Sequence, residues 1–273
     1  MSNTEQIDYW SGETGITWVE TQDAIDAMMA PITAELLRRI PREPTEQVLD
    51  IGCGCGTSTL ALAPRVRQIT GVDVSPPMLA AARERAAGTD NIEFIEADAA
   101  AARFPHPFDR AISRFGVMFF DAPGAAFGHL RSQLRPGGQL QFVCWASPRD
   151  NGWLYLAAAA VKPFVPPPDP PPDPKAPGPF AFADPADIQR YLEQAGYGDI
   201  TIEAYGCDLT LGADLDAAVA FQSRIGPLSR ALKLLEEPDR SAALSAVREA
   251  LTPFAGADGV QLPGQVWFVT AQA

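Results

Sequence analysis

The chain has 273 residues, 34 acidic against 21 basic, giving a formal net charge of −13. That length accommodates one large α/β domain with an insertion, or two small domains. The acidity argues against partnership with nucleic acid or an anionic membrane surface, since no Lys/Arg cluster offers the basic patch either requires.

The first residues, Met-Ser-Asn-Thr-Glu-Gln, lack the basic and apolar regions of a signal peptide. From residue 16 to 40, Trp18, Ile25, Met28, Met29, Ile32, Leu36, Leu37 and Ile40 fall at helical spacing, interrupted by Pro31, so two helices or one kinked helix are expected. Strands are expected at 47–51, 68–73, 92–96, 108–113 and 139–145, with helices at 57–65, 76–86 and 125–134 between them. Arg135-Pro136-Gly137-Gly138 stops the last of these helices. Alternating strands and helices imply a right-handed, doubly wound, mostly parallel sheet.

The longest apolar run, Trp153 to Val161, is too short to span a bilayer. Ten prolines then fall between Pro163 and Pro179, which predicts an extended loop over 163–180, either covering a pocket or recruiting a partner. A helix from Asp184 to Ala195, a strand at 199–210, helices over 214–252 broken at Gly226-Pro227 and Pro238, and a strand at 264–271 complete the chain. The organisation expected is an N-terminal helical cap (1–44), a ligand-binding core (45–162), the proline-rich loop, and a closing part of the sheet (181–273) with a helical insertion before the seventh and last strand. Cys53, Cys55, Cys144 and Cys207 are too few and scattered for a disulfide framework, and with only two histidines no metal site is expected. These features together suit a reduced, cytoplasmic protein.

Function is concentrated in Val-Leu-Asp-Ile-Gly-Cys-Gly-Cys-Gly-Thr, residues 48–57. A strand running into Gly52, Gly54 and Gly56 presents bare backbone N–H groups to a ligand that must come close. Seventeen residues after Gly56 a second strand ends in Asp73. Nicotinamide enzymes favour Gly-x-Gly-x-x-Gly, with the helix start facing a pyrophosphate. Here the spacing is Gly-x-Gly-x-Gly and Asp50 lies at the strand's end, which suits S-adenosylmethionine, whose ammonium and sulfonium groups welcome a carboxylate. A nicotinamide-dependent reductase is the alternative enzyme, and a cofactor-binding adapter protein the alternative outside enzymes.

These segments resemble class I S-adenosylmethionine-dependent methyltransferases, nearest the small-molecule type of ubiquinone and menaquinone biosynthesis. Val48–Thr57 resembles the family's first motif and Gly71-Val72-Asp73-Val74-Ser75-Pro76-Pro77-Met78-Leu79 its second-strand segment. Glu96-Ala97-Asp98-Ala99, Phe108–Ser113 and Leu134–Gly138 resemble its adenine-contacting segment, fourth strand and following turn. The resemblance implies the Rossmann-like methyltransferase fold and methyl transfer to a small, partly apolar metabolite, with S-adenosylhomocysteine as product. It implies that Gly52, Cys53 and Gly54 line the methionine and ribose, that Asp73 holds the ribose with Val74 after it, and that Ser75 to Met78 border the adenine. Asp98 would accept from the adenine amino group, the Ala99 N–H would face a ring nitrogen, and Ser113 and Arg114 would lie beneath the sulfonium.

Asp50 serves either ligand binding or loop organisation, and Asp98 has a rival role as a cap. Trp10 and Trp18 suit either packing or a site over the cofactor. Phe115, Met118 and Trp145 suit either a substrate wall or the core. No residue declares itself a general base. The Asn/Asp-Pro-Pro-Tyr/Phe signature of base methylation is absent after strand four, where the chain reads Ser-Arg-Phe-Gly.

Overall fold

The structure, a computed structural model, describes residues 3–167, 169 and 173–273. Five strands, β1 (Glu43–Ile51), β2 (Val66–Asp73), β3 (Ile92–Glu96), β4 (Phe108–Arg114) and β5 (Leu134–Trp145), pair in parallel. β8 (Gly259–Gln272) runs antiparallel between β5 and β6 (Gly198–Gly212). The order β3-β2-β1-β4-β5-β8-β6 is the doubly wound arrangement expected from the alternating pattern. An eighth strand, β7 (Ala255–Gly256), was not expected and pairs with the start of β8 as a short hairpin. The chain begins mid-sheet, runs outward to β3 and returns to β4, so the switch point lies between the carboxyl ends of β1 and β4. Ligands bind at such a point.

Consecutive side chains on β5 face opposite helical layers. Gln141 donates to the Arg39 carbonyl on α3 (Gln22–Arg39), while Phe142 stacks on Phe127 of α6 (Pro123–Ser132) at 5.6 Å. Phe127, Phe142 and Phe182 are fully buried together, and each contributes roughly 1.5–3 kcal/mol by leaving water. α4 (Thr57–Leu62) and α5 (Pro76–Arg85) follow β1 and β2, and α8 (Pro185–Gln194) packs beside α6.

Several elements depart from the sequence pattern. α3 continues through Pro31, and the break falls instead at Thr21, whose hydroxyl bonds the Thr17 carbonyl at 2.7 Å. Two further helices, α1 (Asn3–Ser11) and α2 (Glu13–Glu20), extend the cap almost to the start of the chain. The run from Trp153 is itself a helix, α7 (Gly152–Val161), enclosed by α10 (Gly226–Leu232) and α11 (Asp239–Leu251). An all-apolar run of that length carries no periodicity to separate helix from strand. With α9 (Leu215–Arg224), these helices make a cap against β8 and β6. β5 starts at Leu134 rather than after the glycines, with an irregular register before Arg110.

Of the proline-rich loop, Lys162–Phe164 forms one tight turn, and the Gly178 N–H donates to the Met118 carbonyl at 3.1 Å. The expectation for Pro168, Pro170, Pro171 and Pro172 lies outside the described residues. Among the described residues no helix is long and apolar enough to cross a membrane.

Candidate active site

β1 ends in a turn that only glycine can make. Gly52, Gly54 and Gly56 have φ of +63°, +54° and +81°, a region costly for residues with a Cβ. Space is as restrictive as conformation. A Cβ on Gly52 would lie 2.8 Å from the Gly116 Cα, and one on Gly54 would lie 2.8 Å from the Met78 methyl. The Gly52 and Cys53 amides both donate to the Val72 carbonyl, the Gly54 amide to Asp73 and the Gly56 amide to the Cys53 carbonyl. The turn therefore does not present the bare N–H groups expected of it: they are spent within it and on tying it to β2.

Asp73 ends β2 beside that turn. One carboxylate oxygen accepts from the Gly54 N–H at 2.8 Å and the other from the Ser75 N–H at 2.9 Å. Burial pushes its pKa up, while backbone donors from Gly54, Ser75 and Val74 pull it down. Each oxygen retains a lone pair for a further donor.

Asp50 is fully buried. Ser58 and Thr59 donate to its Oδ2 at 2.7 and 2.6 Å, whereas Oδ1 has no partner among the described residues. Desolvation raises its pKa from 3.8 to about 6, against the pull of those hydroxyls and of Arg114. Asp50 therefore organises the start of α4.

Asp98 accepts from the Ala100 N–H on Oδ1 and from the Asn3 side chain on Oδ2, both at 2.9 Å. It thus opens a turn and also holds α1. Val74 offers its carbonyl to the Ser11 hydroxyl at 3.1 Å, and the Ser75 hydroxyl donates to the Trp10 carbonyl at 2.6 Å. The N-terminal helices consequently lie along the segment from Val74 to Asp98. Met78 and Ala99 are buried there.

Ser113 is buried, donating to the Ile51 carbonyl at 2.8 Å and accepting from the Gly116 N–H at 3.1 Å. Its hydroxyl braces the ends of β1 and β4. Arg114 reaches across to Thr33 at 3.0 Å and Asp26 at 3.4 Å, and desolvation lowers its pKa despite that carboxylate. Cys53 is buried with its thiol pushed well up by desolvation, and its backbone N–H and carbonyl are both engaged, with Val72 and the Gly56 N–H.

Phe115 sits at φ +68°, strained for a residue with a side chain. This turns its ring onto Trp145, 4.4 Å away and nearly parallel. The backbone N–H of Trp145 donates to the Met118 sulfur at 3.4 Å. Trp10 packs edge-on against Trp18 and Phe119 at 5.5 and 5.2 Å. The aromatic residues therefore form two groups, one under α1 and α2 and one beneath the C-terminal helical cap.

Sequence reasoning missed Gln6, Gln22, Asp26 and Arg85. Gln6 is buried on α1, and neither of its amide atoms has a partner among the described residues. Gln22 donates to the Thr57 hydroxyl at 3.2 Å and leaves its carbonyl free, while Asp26 takes Thr57 at 2.8 Å and Arg85 at 3.1 Å. No local pattern marks these residues, because each gains its role from packing against the glycine turn or α5. Among the described residues no group of three or more His, Cys, Asp or Glu is placed to hold a metal. A cavity of about 100 Å³, lined in part by Gln47, Gln68, Glu93 and His106, borders none of the residues above.

Residues 48–138, which span the glycine turn and β1 to the start of β5, match the methyltransferase domain family. The match covers about a third of the chain. A demethylmenaquinone methyltransferase of Clavibacter sepedonicus is 35% identical over 121 residues, 42% of this chain and 49% of that protein. A trans-aconitate 2-methyltransferase of Escherichia coli is 37% identical over 108 residues, 39% of this chain and 42% of that protein. The matched region thus spans less than half the length of each relative. The fold likeness is broader. Phosphoethanolamine N-methyltransferase 2 of Haemonchus contortus, solved with phosphomonomethylethanolamine and S-adenosylhomocysteine, superposes with a TM-score of 0.54. That superposition covers 89% of this chain and 52% of the other at 18% identity. The matched segment thus sits within a sheet completed by β6 and β8, which lie outside the matched residues.

Proposed function

We propose that this chain is an S-adenosylmethionine-dependent methyltransferase that transfers a methyl group to a small, partly apolar metabolite. The observation that carries this reading is the pairing of a glycine cradle with two carboxylates of unequal state. Asp73 is held by the amides of the turn, and Asp50 is buried behind it with one oxygen bare. A dinucleotide pyrophosphate would meet that bare carboxylate as a like charge. The ammonium of a methionine moiety would meet it as a partner.

Asp73 would hold the ribose hydroxyls, the Gly52–Gly54 backbone the methionine portion, and Asp98 the adenine amino group in place of Asn3. The bound cofactor supplies an already activated methyl group. The protein's task is then to align the acceptor and exclude water, and alignment can contribute up to about 7–11 kcal/mol. Phe115, Met118 and Trp145 are placed to present an apolar acceptor, and the α1–α2 segment to cover the cofactor. The net charge of −13 favours a small acceptor over nucleic acid. All four cysteines are unpaired, which supports a reducing, cytoplasmic setting.

Calorimetric titration tests the reading directly. S-adenosylmethionine and S-adenosylhomocysteine are expected to bind and NADPH is not. Binding of NADPH with no response to either sulfur nucleoside would refute the assignment.

The state of Asp50 adds a pH dependence. Its pKa stands at about 6 in the protein against 3.8 ordinarily, so below pH 6 a proton must leave before a cationic ligand gains the full charge. Cofactor affinity is expected to fall roughly tenfold from pH 7 to pH 5. Asp50→Asn should flatten that profile. In the unliganded protein the sign reverses. A carboxylate with a raised pKa favours the fold at pH values below 3.8, and that advantage is lost as the pH rises through 6. An equal slope in the wild type and Asp50→Asn would show that another group governs the profile.

A further inference from the structure

We propose that Asp26, on α3, is a positioning residue for the cofactor: it holds the Arg114 guanidinium off the buried Asp50 carboxylate, so that Asp50 stays open to the cofactor's ammonium. The proposal rests on the methyltransferase reading and adds to it a residue that acts through another.

Arg114 stands between two carboxylates and bonds only one of them. Asp50 and Ile112 are register partners on β1 and β4, so Arg114, two residues beyond Ile112, projects from the same face of the sheet. Asp50 and Arg114 attract one another across that face. They nevertheless form no ion pair, since Asp50 Oδ1 has no partner among the described residues. Arg114 turns instead to α3, where its two terminal nitrogens donate to the Thr33 hydroxyl at 3.0 Å and to Asp26 Oδ1 at 3.4 Å. Asp26 and Thr33 stand about two turns apart on one face of that helix.

Burial alone favours the other pairing. Asp50 is fully buried, whereas the Asp26 side chain is 20% exposed, and opposite charges attract more strongly where water is excluded. Asp26 prevails because it is fixed in place by other donors. The Thr57 hydroxyl donates to it at 2.8 Å, and Arg85, which also holds the Cys55 carbonyl at 2.7 Å, donates to its Oδ2 at 3.1 Å. The Asp26 charge thereby keeps two guanidiniums together beside α3. With that charge removed, Arg85 repels Arg114 without compensation, and Asp50 is the carboxylate left for Arg114 to join. The charged groups facing Asp50 are Arg114 from β4 and Asp73 from β2, while Ser58 and Thr59 meet it as hydroxyls and the Cys53 thiol stays neutral. Those facing Arg114 are Asp26, Asp50 and Arg85.

The test measures S-adenosylhomocysteine binding to the full chain by calorimetry at pH 8, where Asp50 is ionised, and at pH 5. Asp26→Asn keeps an acceptor for Thr57 and removes the charge. We expect it to weaken binding roughly tenfold at pH 8. It should also abolish the further loss between pH 8 and pH 5 that the wild type shows, because Arg114 now keeps Asp50 ionised. Adding Arg114→Met to Asp26→Asn should tighten binding at pH 8 at least roughly threefold over Asp26→Asn alone, since nothing then occupies Asp50. A merely structural Asp26 gives the opposite, because a second buried substitution adds to the damage of the first. The proposal is overturned if Asp26→Asn binds as the wild type does at pH 8, if its loss at pH 5 equals that of the wild type, or if the double variant binds no more tightly than the single one. Should Asp26→Asn fail to fold, Thr33→Val removes the other anchor of Arg114. It is expected to weaken binding roughly threefold and to be rescued by Arg114→Met, and the absence of either effect overturns the proposal. If the wild type itself does not bind S-adenosylhomocysteine, the methyltransferase reading fails and takes the proposal with it.

Discussion

Gly52→Ala is expected to remove measurable cofactor binding, weakening it more than a hundredfold, and to destabilise the protein by roughly 3–4 kcal/mol. Two penalties combine at this position. The backbone stands at φ +63°, where a Cβ costs about 1–2 kcal/mol. The added methyl would also stand 2.8 Å from the Gly116 Cα, and backbone cannot swing aside as a flexible side chain can. Relief requires β1 and β4 to separate at their carboxyl ends, where Ser113 now ties the Ile51 carbonyl to the Gly116 N–H. That separation would move the amides at the proposed cofactor site. Gly88→Ala is the control, with φ +86° but nothing within 4 Å of the added carbon. It should cost only the conformational penalty and leave binding intact. Denaturant midpoints and calorimetry on both variants decide the matter. Equal losses at the two positions would mean that the close approach of Gly52 to Gly116 carries no weight.

The legible part of this chain is the part in which function is written locally. β1 and β2 each read as a short apolar run ending in an acid, and the alternate glycines after β1 admit few conformations. Such segments point to the same structure at every level, from residue preference to topology. Asp50 was legible as a residue but not as a state. That its Oδ2 would be taken by Ser58 and Thr59 while Oδ1 stayed bare depends on the rotation of α4 against the strand.

The two caps were legible only in outline. α1 has no strong apolar stripe, and its only buried residue is Gln6, so nothing in its sequence announces that Asn3 will reach Asp98. α7 is so uniformly apolar that its helical state follows only from the surrounding helices. Gln222 sits in an ordinary amphipathic helix, and its partner on Trp153 is 69 residues away. Such a contact leaves no mark in the local sequence of either helix.

Asp73 provides the second large effect, and its chemistry predicts which substitutions fail. Asp73→Ala should weaken S-adenosylmethionine binding roughly ten- to a hundredfold, since a hydrogen bond to a charged group is worth about 1.5–3 kcal/mol. Asp73→Asn, the isosteric change, is expected to do no better than Ala. The neighbours of this carboxylate in the protein are donors, the Gly54 N–H at 2.8 Å and the Ser75 N–H at 2.9 Å, and the proposed ribose hydroxyls would be donors too. An amide must turn its NH2 toward one of those N–H groups, setting donor against donor at the hinge of the glycine turn. Asp73→Glu keeps the charge, but its extra methylene displaces both oxygens from the two amides, so it too should bind weakly. The ranking therefore separates a positioned acceptor pair from simple negative charge. If Glu restores wild-type affinity, charge alone suffices; if Asn does so, the carboxylate is not what the ribose requires.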